Sequence, residues 1–519
     1  MGDKSSDKPS SNNKMCVSNE PLHTKKQDKN SHTTWCGSVI ILVNSMLGTS
    51  MFNLPLVFHQ SGGVVVATAV EIIMTVPLIF LSLAFVHCAR KHNCRSYQEV
   101  VCKYCGKQIN ALSAIMFVLL MFGLNVVLFI FIRDQWEKFL QMLQVNSVSI
   151  EFWYMDRKFI TIISSIVIVL PLCFSKRIDF LKYASYVGIL AAVYCVVLIT
   201  VKYFTGVDGS KVGPLRHWPD RVTDIFYVVP SFSVGYQCTV TVVPVYSCTK
   251  DRDMNNNFTK AVFATFIIIF SFYTMLAIFA YLTFGSCVQS DIILAYKATP
   301  DVMAAVLSVA LKVYMLFPVP LFLGRMTLEE ICQKLKNMKS VGTEADSGTI
   351  EMTAENSNTC NNEPAAITST DDKLEVRRRV MITLCWFIST LLTSLFVPDI
   401  DKVISFLGVL AVWFSFIFPG ICILRYMLMY DNGYNRIDNL DSNTNDYQSL
   451  DGQTLIPSNE NVLKSKCKRY AKLALPIVCI FFGMFLSVMS LVQSVMKVAT
   501  INPFDAICQE NINGNATIS

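Results

Sequence analysis

Long apolar segments alternate with short polar stretches along the chain, and this pattern predicts helices that cross a bilayer. An α-helix needs about 20 apolar residues to cross the hydrocarbon. Segments that approach this length are residues 35–59, 64–86, 110–133, 159–175, 181–204, 222–246, 260–284, 302–325, 379–398, 401–429 and 470–499. The fourth is the shortest of them. We therefore expect an all-α integral membrane protein with eleven transmembrane helices.

The polar stretches predict disordered segments outside a transmembrane domain that covers residues 35–500. Residues 1–34 are rich in Lys, Ser and Asn and lack the apolar core of a signal peptide, which indicates a cytosolic tail. Two further polar segments, 332–376 and 430–468, are expected to be disordered cytosolic loops. Residues 501–519 then form an extracytosolic tail.

The second polar loop also contains two strings of the form tyrosine-x-x-hydrophobe. They begin at Tyr434 and Tyr447. Trafficking adaptors read strings of this kind, so both are candidate partner sites, although such short strings also arise by chance.

The positions of the basic residues predict the orientation. Lys and Arg follow the second, fourth, sixth and eighth spans and precede the ninth and eleventh, so all lie on one side if the N-terminus is cytosolic. Eleven spans then leave the C-terminus outside, where the sequon at Asn515 is expected to be glycosylated while the one at Asn257 stays bare. Cys287 and Cys508 are the only cysteines predicted outside, so a native disulfide would join them.

Composition supports a membrane protein and argues against a nucleic-acid partner. Hydrophobic residues make up 53% and charged residues 16% of the chain, whereas soluble domains carry about 25% charged residues. The net charge of +6 comes from Lys and Arg near helix ends, where it sets topology. Cys102 and Cys105 form a CxxC with Cys94 nearby, but no second CxxC follows, so ordinary loop thiols are favoured over a zinc site.

The first span carries small polar residues at its middle. Gly48, Thr49 and Ser50 lie between Asn44 and Pro55. An unwound turn there would expose backbone N–H groups beside two hydroxyls, and in transporters with broken helices such a turn receives the substrate carboxylate. Close packing of small residues between helices is the alternative.

The sixth span has a matching interruption, because Ser231, Ser233 and Gly235 lie within an apolar run. If residues 35–204 and 222–429 form two repeats of five spans, the two interruptions occupy corresponding places. Such a pair is the best indication in a sequence of a binding site at the membrane midplane. The eleventh span lies outside the repeats.

Several strings in the spans resemble those of a known family. They are Asn44 to Pro55 with Gly62-Gly63, Gly235-Tyr236-Gln237-Cys238 with Pro244 and Tyr246, Phe317-Pro318 with Gly324-Arg325, and Phe418-Pro419-Gly420. Over roughly residues 35 to 500 the chain is similar to the amino acid/auxin permease family, and within it to the sodium-coupled neutral amino acid transporter group. The resemblance implies a leucine-transporter-type 5+5 inverted repeat with broken helices 1 and 6, rocking alternating access and an amino acid substrate.

The resemblance also implies ligand-binding residues. Those expected to contact the substrate are Ser45, Met46, Gly48, Thr49, Ser50, Ser231, Phe232, Ser233 and Gly235. The family holds sodium with a first-span Asn, here Asn44, and with a hydroxyl residue on the eighth span. Residues 314–317 of this chain contain no Ser or Thr, and Lys312 lies nearby.

Lys312 stands well inside the eighth span, where an ammonium costs at least ~2.5–3.5 kcal/mol. It must face a cavity, find a partner or lose its proton. Its charge then replaces a sodium ion, or its proton is the coupling ion. The alternative is a structural role, either snorkelling along the span or pairing with Glu71 of the second span. Coupling to sodium at Asn44, to protons or to no ion remains open.

The function expected from these features is secondary active transport of small neutral amino acids. An endolysosomal amino acid sensor with the same fold is the alternative. The sequence contains no HExxH, GxSxG or P-loop pattern, so an enzyme is not expected. No cofactor is expected beyond a coupling sodium ion or proton, and the membrane is either the plasma membrane or an endolysosomal one.

Overall fold

The computed structural model describes the chain from the start of the first span to the end of the last, with gaps. The described residues are 34–144, 157–174, 179–206, 213–249, 255–297, 299–344, 369–397, 399–429 and 459–499. Within these ranges, nine helices are long and apolar enough to cross a membrane, and a bent pair forms a tenth crossing. The protein is an all-α integral membrane protein, as predicted.

The first half of the chain folds into seven helices. Their bounds are Trp35–Met46 (α1), Leu54–Gln60 (α2), Val64–Lys91 (α3), Tyr97–Gln144 (α4), Arg157–Ser164 (α5), Leu170–Phe174 (α6) and Asp179–Thr205 (α7). A 3₁₀ turn, Thr49–Asn53, joins α1 to α2, and a π turn, Ser165–Val169, joins α5 to α6. Thr34 caps the start of α1, because its Oγ1 accepts a hydrogen bond from the Gly37 N–H at 3.3 Å.

The second half contains nine helices after a 3₁₀ turn at Val222–Tyr227. Their bounds are Val228–Gly235 (α8), Thr239–Cys248 (α9), Asn255–Phe284 (α10), Ile292–Ala295 (α11), Pro300–Leu316 (α12), Pro318–Glu344 (α13), Ser369–Phe396 (α14), Ile400–Met429 (α15) and Asn459–Ala499 (α16). Helix α15 includes a π turn at Trp413–Ile417. We call α1 with α2 span 1, and residues 222–248 span 6.

The described part of the chain contains ten clear crossings, against the eleven predicted. The difference is the fourth predicted span, where α5, the π turn and α6 form the apolar segment Lys158–Phe174. That segment is shorter than the other crossings, as the sequence indicated. A crossing by the fourth span, and with it the total of eleven, therefore remains a prediction.

Several helices extend beyond the apolar segments that predicted them. Helix α4 begins at Tyr97 and changes direction at Gly106 (φ 84°), well before the apolar run that starts at residue 110. Helices α13 and α14 continue into the polar segment 332–376, and α16 begins inside 430–468. Hydropathy detects only the part of a helix that suits lipid, whereas backbone hydrogen bonding continues through polar turns.

Contacts between helices repeat with an offset of five spans. Helix α1 of span 1 packs on α10, the seventh span, and α9 of span 6 packs on α3, the second span. In the same way α7 packs on α12, and α15 packs on α4. Spans 1 and 7 thus pair as spans 6 and 2 do, and spans 5 and 8 pair as spans 10 and 3 do, which is the contact pattern of the predicted 5+5 inverted repeat. Helix α16 lies outside it and packs along α15.

The direction of α1 defines the two sides of the membrane. The side on which α1 begins is the N-terminal side, which the loop charges predict to be cytosolic, and the opposite side is the far side. The hydrophobic core fills the space between spans 1, 6 and their neighbours, with fully buried Phe52, Phe58, Phe232 and Phe266.

Candidate functional site

Span 1 is interrupted at its middle. Helix α1 ends at Met46, Leu47 leaves the helical region (ψ 68°), and Gly48 is extended (φ −84°, ψ −173°). The Gly48 N–H turns back to the Met46 carbonyl at 2.6 Å, and the two halves of the span are bent by 51°. The predicted break in the first helix is confirmed.

Span 6 is interrupted at the corresponding place. Helix α8 ends at Gly235, and α9 begins at Thr239. Between them the Tyr236 N–H donates to the Phe232 carbonyl, and the Cys238 N–H donates to the Tyr236 carbonyl, each at 2.7 Å. The predicted break in the sixth helix is confirmed as well.

The two breaks lie against each other. A Cβ on Gly235 would stand 3.2 Å from Ser50 Oγ of span 1 and 2.9 Å from the ring of Tyr273 on α10. Only a residue without a side chain permits this approach. The Tyr273 hydroxyl donates to the Met46 carbonyl at 2.5 Å and lies 3.3 Å from the Gly235 carbonyl. One phenol therefore ties the last turn of α1 to the last turn of α8.

The breaks place complementary backbone groups together. The first N–H groups of a helical turn and the last carbonyls of a helix have no partner within it, and they carry partial positive and negative charge respectively. Span 1 contributes N–H groups at Thr49 and Ser50, where the 3₁₀ turn starts, and span 6 contributes carbonyls at the end of α8. A zwitterion has a carboxylate and an ammonium that match these two sets.

Residues of the first break differ in accessibility. Met46, Thr49 and Ser50 are buried, and Gly48 is half-buried. Ser45 is exposed, and its Oγ donates to the Leu42 carbonyl of its own helix at 2.8 Å. The structure therefore places Gly48, Thr49 and Ser50 at the meeting point of the breaks and Ser45 at its edge.

Residues of the sixth span are buried but point in different directions. Ser231, Phe232 and Ser233 have no exposed surface. Ser233 Oγ donates to the Val229 carbonyl of its own helix, while Ser231 Oγ accepts from Asn53 Nδ2 at 3.3 Å. Of the predicted sixth-span residues, Gly235 lies against Ser50 of span 1, and Ser231 contacts Asn53 at the end of the same 3₁₀ turn.

Glu71 on α3 forms a second buried polar centre. Its carboxylate accepts hydrogen bonds from the Tyr236 hydroxyl at 2.7 Å and from Thr274 Oγ1 at 3.0 Å. Glu71 has no exposed surface, and Tyr236 lies in the break of span 6. Its two partners are neutral hydroxyls rather than a lysine.

Lys312 lies where three spans converge. A Cβ on Gly188 of α7 would stand 2.8 Å from Asn44 Oδ1 of α1 and 3.7 Å from Lys312 Cγ of α12. Lys312 is 4% exposed, and its Nζ has no hydrogen-bond partner among the described residues. The two predicted ion-coupling residues, Asn44 and Lys312, are thus brought to the same place.

A charged network closes the far side of span 1. Lys497 Nζ of α16 lies 2.7–2.8 Å from both carboxylate oxygens of Asp401 on α15. Asp401 Oδ1 also accepts from Asn53 Nδ2 at 3.0 Å, and Oδ2 lies 3.5 Å from Gln60 Nε2. Because Asn53 also reaches Ser231 of span 6, this network joins the helix outside the repeats to both broken spans.

Some predicted sites fall on residues that the structure does not describe. These are Asn515, Cys508, Tyr434 and Tyr447. Cys287 is described and half-buried between the seventh and eighth spans.

Tyr273, Asp401 and Lys497 were missed as site residues by sequence reasoning. Tyrosine is common in apolar spans, and the acceptor of Tyr273 is a backbone carbonyl 227 residues away. Asp401 and Lys497 lie at helix ends, where charge is ordinary, and only their burial distinguishes them.

The chain is similar to known proteins over most of its length. Residues 31–437 match the family model described as "Transmembrane amino acid transporter protein". The chain is similar to sodium-coupled neutral amino acid transporter 7 of Danio rerio, with 30% identity over 78% of this chain and 82% of that protein. The mouse (Mus musculus) transporter of the same name is 32% identical over 76% and 80% of the two chains.

A putative sodium-coupled neutral amino acid transporter 8 of Xenopus tropicalis is 30% identical over 75% of this chain and 83% of that protein. Among solved structures, the nucleobase-cation-symport-1 family transporter Mhp1, in a closed conformation with bromovinylhydantoin bound, matches with a TM-score of 0.48 and 12% identity. That match covers 92% of this chain and 97% of the Mhp1 chain.

Proposed function

Because the chain belongs to the transmembrane amino acid transporter family, we propose that it carries small neutral amino acids across a membrane by alternating access. The observation that carries the proposal is the contact between the two breaks, where Ser50 of span 1 meets Gly235 of span 6. Unwound backbone at mid-membrane is tolerated only where it is buried in protein or lines a cavity. Relatives named as neutral amino acid transporters support the same substrate class.

Substrate recognition in this proposal rests mainly on backbone. N–H groups at Thr49 and Ser50 bind the carboxylate, and carbonyls at the end of α8 bind the ammonium. Met46, Gly48, Thr49, Ser50 and Gly235 carry no charge, so a charged substrate side chain finds no counter-ion among them. Tyr273 and Tyr236 occupy the neighbouring volume, which favours a small side chain.

Uptake of radiolabelled amino acids into proteoliposomes tests this function. We expect saturable uptake of a neutral amino acid by the unmodified protein and its loss in Gly48→Leu, because the bulky side chain fills the break. Ser271→Leu is the matched control, since Ser271 is exposed at mid-span on α10 and its hydroxyl bonds its own helix. Normal uptake by Gly48→Leu would refute the assignment of the site. Binding without uptake in the unmodified protein would support a sensor instead.

Ion coupling is the finer part of the proposal. We infer that the Lys312 ammonium occupies the place of a coupling sodium ion. Asn44 and Lys312 converge on Gly188, and Lys312 is buried without a hydrogen-bond partner among the described side chains. A cation held by its own chain repels a sodium ion at the same place, because like charges in a dry environment interact strongly. Glu71, the alternative partner of Lys312, is instead bound by Tyr236 and Thr274.

Replacing sodium by choline in the uptake medium tests the coupling. We expect uptake to remain within about twofold, whereas Lys312→Met removes the charge and strongly reduces uptake at an unchanged level of folded protein. Lys312→Arg, which keeps the positive charge, is the matched control and is expected to retain part of the activity. Strict sodium dependence of the unmodified protein would overturn the role of Lys312 while leaving the substrate site intact.

A further inference from the structure

The first residues of α4 form a short helix that is separate from the part of α4 that crosses the membrane. Gly106 has φ 84° and ψ 178°, so residues 97–105 join the rest of α4 through a non-helical link. This segment is fastened to α15, because the Tyr97 hydroxyl donates to the Phe414 carbonyl at 3.1 Å. Phe414 belongs to the π turn of α15, a type of distortion that occurs often at functional sites.

Two thiols meet beside this link. Cys105 Sγ of α4 lies 3.4 Å from Cys422 Sγ of α15, although the residues are 317 positions apart in the sequence. Cys105 is 5% exposed and Cys422 has no exposed surface. Arg425 donates to the carbonyl of Tyr104 at 3.4 Å, which brings a guanidinium next to the pair. A nearby positive charge favours the thiolate, the reactive form of cysteine.

We propose that Cys105 and Cys422 form a reversible disulfide when a hydroperoxide reaches the N-terminal side of the membrane. The Cys105 thiolate attacks the peroxide O–O bond and becomes a sulfenic acid, and hydroxide leaves. The Cys422 thiol then attacks the Cys105 sulfur as it gives up its proton, forms the S–S bond and displaces a second hydroxide. The two thiol protons neutralise the hydroxides, so two thiols and one hydrogen peroxide give one disulfide and two waters.

The bond would fasten the 97–105 segment covalently to α15. At present Tyr97 and packing hold that contact, and both can rearrange during a transport cycle. A disulfide removes this freedom, so oxidation slows transport without touching the substrate site. The charge pattern predicts that this side faces the cytosol, where thiols are kept reduced and disulfides are transient. Formation of the bond does not depend on the proposed substrate.

Cleavage of the chain between the two cysteines tests for the bond. A protease site inserted between residues 345 and 368 separates them, so after hydrogen peroxide the two fragments stay together on a non-reducing gel only if a disulfide joins them. We expect linkage in the parent protein, its reversal by dithiothreitol, and its loss in both Cys105→Ser and Cys422→Ser. Cys102→Ser, one turn from Cys105 and part of the same CxxC, is the control that keeps the linkage. Linkage that survives both serine variants, or no linkage in the parent, overturns the proposal.

Uptake measured on the same samples tests the consequence. Peroxide is expected to reduce the uptake rate of the parent at least threefold, and dithiothreitol is expected to restore it. Cys105→Ser and Cys422→Ser are each expected to transport normally and to resist peroxide. If linked protein transports at the normal rate, the bond is not regulatory. If no form of the protein takes up amino acids, the proposed function fails, while the gel still decides the disulfide.

Discussion

Burial changes the pKa of an acidic residue outside the membrane-spanning segments, Asp291. Asp291, at the start of α11, has no exposed surface. Gln135 Nε2 donates to its Oδ2 at 2.6 Å, and the Ile293 N–H donates to its Oδ1 at 3.1 Å. Desolvation, reinforced by the negative charge of Asp134, nevertheless raises the pKa of Asp291 to about 7.

Stability of the protein is expected to fall as this carboxyl ionises. Its folded pKa lies above its unfolded value, so the stabilising contribution is complete below the unfolded pKa and is lost as pH rises through about 7. Thermal unfolding of detergent-solubilised protein between pH 4 and 8 measures this loss. Asp291→Asn is expected to weaken the pH dependence, because an amide cannot ionise. An unchanged pH profile in that variant would contradict the assignment.

Sequence reasoning selects single residues where polarity stands out against an apolar run. Gly48, Thr49, Ser50 and Lys312 were selected as candidates in this way, because each is unusual at the middle of a span. Tyr273 could not be found, since its role depends on which carbonyl reaches its hydroxyl in the folded chain.

At the level of helices, the hydrogen bonds of Tyr273 between the two breaks can be tested by a single substitution. The Tyr273 hydroxyl contacts the Met46 and Gly235 carbonyls. Tyr273→Phe removes this tie and takes one buried donor from each carbonyl, at a cost of about 1–3 kcal/mol; the Met46 carbonyl keeps the Gly48 N–H as a donor. We expect uptake to fall roughly tenfold, measured in proteoliposomes as initial rate against substrate concentration.

Tyr203→Phe is the control for that experiment. Tyr203 lies on α7 at the protein surface, where its ring packs against Phe204 and Phe279. Loss of its hydroxyl is expected to leave uptake unchanged. Equal effects of the two substitutions would show that the Tyr273 hydrogen bonds are not important for transport.

Helix positions were largely predictable, because a crossing helix needs a continuous apolar length that few soluble segments have. The residues at which helices begin and end were less predictable. Polar turns such as 97–105 continue the hydrogen-bond pattern without an apolar signal, and the apolar segment Lys158–Phe174 is too short to identify by length alone.

At the scale of the whole molecule, α16 packs against the repeats and is held to them by an ion pair on the far side. Its Lys497 is paired with buried Asp401, which also holds Asn53 of span 1. Lys497→Met leaves that carboxylate without its cation, and breaking a buried pair in this way costs about 3–5 kcal/mol. We expect a lower unfolding temperature together with faster labelling of cysteines introduced near Asn53.

Lys402→Met supplies the comparison. Lys402 pairs with Asp399 at 2.8 Å, but both side chains are more than one third exposed. An exposed pair contributes about 0–1 kcal/mol, so little change is expected. If Lys497→Met changed the unfolding temperature as little as Lys402→Met does, the Lys497–Asp401 pair would not stabilise the protein.

Topology is tested by the two sequons. Asn515→Gln is expected to abolish a glycosidase-sensitive shift on gels, whereas Asn257→Gln leaves it in place. Asn257 lies in the first turn of α10, on the N-terminal side. Loss of the shift in Asn257→Gln would mean that the chain crosses the membrane in the opposite sense.

The role proposed for Lys312 has a thermodynamic consequence. A carrier that moves sodium inward gains about 2.3 kcal/mol per charge from each 100 mV of membrane voltage. If the Lys312 ammonium takes the place of that ion, as proposed, and keeps its proton throughout, a complete cycle with a zwitterionic substrate moves no net charge. Membrane voltage then contributes no driving force, and the direction of net flux follows the amino acid gradient alone. Such a protein equalises amino acid concentrations across its membrane or exchanges one amino acid for another, and it does not accumulate them.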